Sequence, residues 1–354
     1  MTSTFTKART MTFPRQIAVG HNVIEQVGEM CQNFGLQGNA LIVTGPKTKK
    51  IAGGITKDIL VDTSYNVQFA EVGEATTENV EKVRKIAEET NANFLLGVGG
   101  GSKIDIAKLV ATQLKKPFIS VPTSASHDGI ASPRASIKDS NGSTSLKANI
   151  PSGVVADTSI IVKAPYRLLA SGCADVISNL TAVLDWELAR RLRNEEFSTS
   201  AATLGKLSAH TIIEKADGIK PNLEESVWIA IRPIIVSGIS MSVANSSRPA
   251  SGSEHLFSHA LENISPGTSL HGERCGVGTI LAMYLHGGDW EHIRDTLKKI
   301  GAPTTAKELH ITREQAMEAL TTAHKIRKDR YTILGDRGLN VESAEQLLSI
   351  TGVA

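Results

Sequence analysis

Aromatic residues make up only 4% of the 354 positions, and the chain carries three cysteines, Cys31, Cys173 and Cys275, none in a CxxC pair. An odd, widely spaced set suits reduced thiols in a cytoplasmic protein better than a disulfide framework. No dense basic block accompanies the net charge of +2, so the electrostatic footprint of a nucleic-acid binder is missing. The opening stretch has no apolar region of the length a secretory signal needs. No later apolar run approaches the roughly 20 residues that span a bilayer. A cytoplasmic protein with no nucleic-acid partner and no membrane insertion is expected, and a small anionic substrate stays open. Residues 1–10, ahead of Met11, read as a loose extension.

What is present is the balance of a folded globular chain, with 41% apolar and 21% charged residues. The length exceeds what one ordinary core serves and points to two domains. In the first half, strands are expected over 16–19, 40–43, 66–72, 94–98 and 118–121, alternating with helices over 22–34, 77–90 and 103–114. Such alternation builds a parallel sheet with helices on both faces. From about Val162 the strand signal ends, and helices are expected over 166–191, 198–215, 223–245, 276–286, 290–300, 313–325 and 341–348. The expected fold is therefore an α/β, Rossmann-like parallel-sheet domain over residues 1–162 and an all-α domain over 163–354, joined by a short packed junction.

In FLLGVGGGSKIDIAK an apolar strand runs into Gly97, Gly99, Gly100, Gly101 and Ser102 before a helix that begins near Lys103. Glycines remove the Cβ obstacle to a pyrophosphate, and the helix start offers unpaired N–H groups with partial positive charge. The cluster departs from the dinucleotide fingerprint GxGxxG by following a later strand and ending in Ser102. A tight βα turn without a ligand has the same composition. After the next strand, VPTSASHDGIASPRAS is dense in hydroxyls from Thr123 to Ser126, which suit a ribose or phosphate and equally a polar turn. Asp128 in that loop could orient a substrate hydroxyl or form only an Asp-Gly turn.

The second half contains SGSEHLFSHALENISPGTSLHGERCG. His255 and His259 share a helix face at i,i+4, and His271 follows a loop with Pro266 and Gly267. Three imidazoles so close suit a divalent metal, whose catalytic sites take three protein ligands and leave one position open. Asp175, inside the apolar run CADVISN, needs a partner and is the candidate carboxylate. Solvated or core-satisfied histidines are the alternative. His21, His210, His286, His292, His310 and His324 have no comparable neighbours and read as structural or surface residues. The late basic cluster of Lys325, Arg327, Lys328 and Arg330 could hold a phosphate or cover a solvated helix face. The stretch from Thr44 to Lys50 has no carboxylate to repel a 2′-phosphate, so a nucleotide fold here would accept NADH and NADPH alike, with Lys47 or a neighbour as the candidate partner, unless these lysines only cover a surface turn.

Taken in order, the glycine loop, TSAS-type loop, Asp helix, HxxxH helix and HGE loop resemble the superfamily of glycerol dehydrogenase, iron-alcohol dehydrogenase and dehydroquinate synthase over roughly residues 14–336. The wording GGGSKIDIAK, PTSASHDGIASPRAS, SGCADVISN, SGSEHLFSHAL, HGERCGVG and IRKDRYTIL is similar to the archaeal glycerol-1-phosphate dehydrogenase family. The resemblance implies a dehydroquinate synthase-like fold in which residues 1–162 bind NAD or NADP and 163–354 hold metal and substrate. It implies one divalent metal per chain, Zn2+, or Ni2+ as in a bacterial branch, on Asp175, His255 and His271. Catalytic and substrate-binding roles fall to Asp128, Asp175 and His259. The implied cofactor lining is Gly99, Gly100, Gly101, Ser102 and Lys103, with Thr123, Ser124, Ala125, Ser126 and Ser132. The implied reaction, in the cleft between the domains of a homo-oligomer, reduces the small phosphorylated substrate dihydroxyacetone phosphate to sn-glycerol 1-phosphate for ether-lipid synthesis. Glycerol dehydrogenase, dehydroquinate synthase and a non-catalytic NAD(P)-binding sensor are the rivals.

Overall fold

The computed structural model describes residues 10–139 and 142–354, so nearly all of the expected extension before Met11 lies outside the described residues. Eight strands run in chain order: β1 (Gln16–Gly20), β2 (Asn39–Thr44), β3 (Asn66–Glu71), β4 (Phe94–Gly99), β5 (Phe118–Pro122), β6 (Arg134–Asp139), β7 (Gly142–Lys147) and β8 (Gly153–Asp157). Six form one parallel sheet in the order β1-β8-β5-β4-β2-β3, while β6 and β7 make a separate antiparallel hairpin. Every residue of β4, β5 and β8 is buried, as near-continuous apolar runs must be in strands covered on both faces. Alternate side chains divide between two cores. Leu41, Val43 and Leu95 enter one, and Ala40, Ile42, Phe94 and Leu96 the other. The first core continues without interruption into Leu169, Ile234, Leu256 and Ile280 of the second half, so sheet and helices share one apolar interior.

After β8 the chain is helical. The principal helices are Tyr166–Ile177, Asn179–Arg193, Thr199–Glu214, Glu224–Ala244, Ser253–Ile264, His271–Leu285, Trp290–Ile300, Arg313–Thr322 and Val341–Thr351. The single helix expected over 166–191 divides at Ser178, whose hydroxyl donates to the Asp175 carbonyl at 2.6 Å. The helix expected to begin at 276 begins instead at His271, because Glu273 turns back to accept the Leu270 N–H at 2.8 Å. Strand β8, the hairpin and the helical segment Pro46–Thr48 with Gly54–Asp62 were not expected from the sequence. Gly45, Gly53 and Gly54 mask the last of these, although Thr56 and Leu60 anchor it in the interior.

Two stretches, Tyr166–Arg193 (divided at Ser178) and Glu224–Ala244, pass for a membrane span by length and composition only. Within the fold they are core helices, with 83% and 72% of their apolar windows buried. The hairpin is held to the helix Gly101–Gln113 by a buried pair: Lys108 Nζ donates to the Gly129 and Arg134 carbonyls at 2.5 Å, and Asp105 Oδ2 accepts the Ser136 N–H at 3.1 Å. It thereby walls the space above the C-terminal ends of β4 and β5.

Candidate active site

A cavity of about 570 Å³ opens where those strand ends face the helices. Gly100, Gly101, Ser102 and Lys103 line its sheet side. No side chain caps the helix that starts at Gly101, and its first residues line the cavity, an arrangement suited to an anion. A Cβ on Gly101 would stand 1.9 Å from His127 Nε2, so a larger residue there would have to displace that ring. Lys103 donates to the Gly73 carbonyl at 2.7 Å, and its burial pulls the ammonium pKa below the usual range. From the second loop, Ser124, Ser126, Asp128 and Ser132 also reach the cavity. Gly99 and Thr123 sit behind it, joined by a backbone hydrogen bond of 3.0 Å, and Ala125 lies in the core.

The helical side brings together the expected donors. Asp175 Oδ1 stands 3.6 Å from His255 Nε2 and 3.5 Å from His271 Nε2. These separations exceed good hydrogen bonds and match the edges of a shell around one ion with bonds of about 2 Å. The same oxygen is buried without a hydrogen-bond partner, while Oδ2 accepts the Asp128 N–H at 3.1 Å. Behind His255, the buried Glu254 places Oε1 at 2.9 Å from Nδ1 and is itself held by the Gly252 N–H at 2.5 Å and the Thr181 hydroxyl at 2.9 Å. A carboxylate there fixes the ring and leaves Nε2 facing the other donors. Cys275 Sγ lies 3.6 Å from His271 Nε2, and the donor atoms of Asp175, His255, His271 and Cys275 all fall within 4.8 Å of one another. An orphaned carboxylate oxygen facing imidazole nitrogens and a thiol is a donor set that fits a divalent ion. Close helix packing makes it possible: a Cβ on Gly272 would meet the Ser171 carbonyl at 2.0 Å, so the helices bearing His271 and Asp175 touch backbone to backbone.

His259 is outside this donor group but lines the cavity, its ring centroid 6.3 Å from that of His255 and 5.6 Å from that of His271. Burial, with the positive charge of His255 and Arg274 nearby, pulls its pKa down to about 3, so the ring is neutral at ordinary pH. Asp128 accepts the Ser237 hydroxyl at 2.8 Å. Its burial and the Asp175 charge raise its pKa to about 7. Of the histidines read as structural, His286 has a buried partner, with Nε2 3.0 Å from Asp185 Oδ1. Glu254, Cys275, His127 and Ser237 were given no role by the sequence reading. Only Cys275 carried a local signal, its i,i+4 spacing from His271, which a helix begun at 276 conceals.

The model of the family described as iron-containing alcohol dehydrogenase matches residues 18–165. Among solved structures, glycerol dehydrogenase from Schizosaccharomyces pombe superposes with a TM-score of 0.78 at 20% identity, over 98% of this chain and 91% of that one. Sulfoacetaldehyde reductase from Bifidobacterium kashiwanohense, solved in complex with NAD+, gives 0.75 at 16% identity, over 98% of each chain or more. At such identities the likeness concerns the fold. The sequence relatives are far closer. Glycerol-1-phosphate dehydrogenase (NAD(P)+) from Methanosarcina mazei is 55% identical over 98% of this chain and 97% of its own length, and the protein of that name from Methanothermobacter thermautotrophicus is 55% identical over 98% and 99%. With identity at that level along essentially its whole length, this chain belongs to the glycerol-1-phosphate dehydrogenase family.

Proposed function

We propose that the chain reduces dihydroxyacetone phosphate to sn-glycerol 1-phosphate, reversibly, with NADH or NADPH, using one divalent metal, Zn2+ in preference to Ni2+. The observation that carries this reading is the partnerless Asp175 Oδ1 facing His255 and His271, in a cavity that reaches the glycine loop. The names of the close relatives, glycerol-1-phosphate dehydrogenase (NAD(P)+), supply the substrate and cofactor class. Residues 1–162 serve as the cofactor domain and 163–354 as the metal and substrate domain, and the product enters ether-lipid synthesis.

Asp175, His255 and His271 hold the metal, and Glu254 orients His255. Once bound, that metal acts as a Lewis acid toward a carbonyl oxygen, and the nicotinamide carries the hydride. The helix start at Gly101 seats the pyrophosphate, and the hydroxyls of Ser124, Ser126 and Ser132 face the cofactor or substrate. Neutral His259 orients the substrate by hydrogen bonding. Asp128, with its pKa near 7, both gives and accepts a hydrogen bond at a substrate hydroxyl.

The test compares cofactor oxidation with dihydroxyacetone phosphate and with dihydroxyacetone, followed by chiral analysis of the product. Preference for the phosphorylated ketone and formation of the sn-1 isomer are expected. Equal turnover of dihydroxyacetone would point to a glycerol dehydrogenase and overturn the assignment, as would the opposite isomer.

Dual cofactor use rests on the segment after β2. Gly45 packs under Lys103, where an added Cβ would lie 2.9 Å from Cε, so this segment adjoins the glycine loop. Lys49 is engaged with Glu71 at 2.7 Å, whereas Lys47 is exposed and free to meet a 2′-phosphate as a mobile point charge. The expected kcat/KM values for NADH and NADPH lie within about a hundredfold, or roughly 2.7 kcal/mol, and Lys47→Glu shifts the preference toward NADH. A larger wild-type discrimination against NADPH rules out dual use, and an unmoved preference in the variant removes Lys47 from the account.

A further inference from the structure

We propose that Arg134 and Arg327, facing each other across the cavity, grip the phosphate group of the substrate, and that buried Arg330 positions the wall beside them. The inference rests on the reading of the substrate as a phosphorylated ketone and names what recognises its phosphate.

The late basic run divides in the fold. Lys325 and Lys328 are exposed, Arg327 turns into the cavity, and Arg330 is 7% exposed beneath it. Arg134, the first residue of β6, enters the same cavity from the hairpin. Two guanidinium groups from opposite halves of the chain thus share one space. They are close enough that Arg327 lowers the pKa of Arg134 below the usual value, after the larger effect of burial. Among the described residues no carboxylate stands within ion-pair distance of Arg134; its guanidinium donates to the Ser145 hydroxyl at 3.1 Å and to the Ser145 carbonyl at 2.5 Å. Among the described residues Arg327 pairs with Asp329 alone, two residues on and largely exposed. Like charges facing one another in a partly desolvated space are unfavourable until an anion joins them, and the planar fork of arginine matches phosphate oxygens.

Arg330 completes this end of the cavity. It donates to the Ser247 hydroxyl at 2.8 Å and to the Ser251 carbonyl, and both serines line the same space. Burial with the charges of Arg327 and Arg248 outweighs the opposing charges of Asp329 and Glu254 and brings its pKa down to about 9. The cofactor pyrophosphate has its own seat at the helix start Gly101. The arginines act instead at the histidine end, where the charges of Arg274, Arg330 and Arg327 all depress the pKa of His259. A phosphate held there leaves the ketone toward the histidine cluster.

The experiment measures kcat/KM for dihydroxyacetone phosphate and for dihydroxyacetone in the metal-loaded wild type and in Arg134→Gln, Arg327→Gln and the double variant, together with the KM for cofactor and the thermal midpoint. Each single change is expected to lower the phosphate-to-free-ketone ratio by about tenfold to a hundredfold, the usual worth of a hydrogen bond to a charged group. Arg327→Lys restores part of that ratio, and inorganic phosphate inhibits competitively in wild type but weakly in the double variant. The exposed neighbour change Lys325→Gln keeps the wild-type ratio. A double variant within twofold of the wild-type ratio overturns the proposal. So does an equal collapse in Lys325→Gln, or a loss carried by the cofactor KM, which would assign the pair to the pyrophosphate. If the wild type shows no preference for the phosphorylated ketone, the functional reading itself is what fails.

Discussion

Replacing Asp175 with Asn, or His255 or His271 with Ala, is expected to strip the bound metal and to lower kcat/KM by about a thousandfold or more. Removing one oriented donor to the charge that develops in a transition state costs about 10² to 10³ in rate, and loss of the ion removes more than one such contact. The donors converge tightly: Asp175 Oδ1 is 3.5 to 3.6 Å from both imidazole nitrogens and has no other partner. Neighbouring Cys275, at 3.6 Å from His271 Nε2, does not replace the missing geometry, because a set of three protein ligands places the ion. Asp175→Asn is the sharpest of the three variants. It keeps the side-chain shape and an acceptor for the Asp128 N–H, now at 3.1 Å, so folding is preserved while the charge is gone. Elemental analysis and kcat/KM on the same preparation decide the matter. Full metal content together with full activity in any one variant removes that residue from the ligand set.

The companion variant His259→Ala is expected to keep about one metal per chain and to lose about 10² to 10³ in kcat, the range for one hydrogen-bond donor aimed at a reacting oxygen. One turn along the helix from His255, the ring lines the cavity yet lies outside the group of converging donors. Its pKa, pulled down from 6.5 to about 3 by burial and by the positive charge of His255 and Arg274, makes it a neutral imidazole throughout the physiological range. The sign is then fixed. Lowering pH through 6.5 does not charge His259 in the folded enzyme, so the wild-type rate profile carries no limb from this residue there. Loss of metal in His259→Ala would exchange the roles of the two helix histidines, and wild-type turnover would remove His259 from the reaction.

The features legible in the chain are those that short-range geometry encodes. Strand–glycine–helix order around Gly99 to Lys103 follows from an apolar run meeting residues without Cβ, and the structure places that turn at the end of β4. His255 and His259 share a helix face because i,i+4 spacing requires it. The hairpin was not legible, since β6 and β7 carry mainly polar and small side chains (RASIKD and GSTSLK) and depend on the buried Lys108 and Asp105 for their position. The start of the helix that carries His271 was misread because its cap is supplied by Glu273 inside the HGE motif, which the sequence reading took as loop.

By itself the sequence determined the two kinds of half, the strand–glycine–helix turn and the paired face of His255 and His259, because each depends on periodicity or on chemistry within a few turns of chain; Asp175 and His271 joined the metal candidates by residue type, and only the resemblance to a known family narrowed the four to Asp175, His255 and His271. Tertiary structure alone decided which atoms converge. Ser237 reaches Asp128 across 109 positions at 2.8 Å, and Arg134 shares a cavity with Arg327 because the hairpin and the helical half both line it. No local pattern encodes such approaches. They arise when the apolar core shared by sheet and helices excludes water and fixes which polar groups are left facing one another.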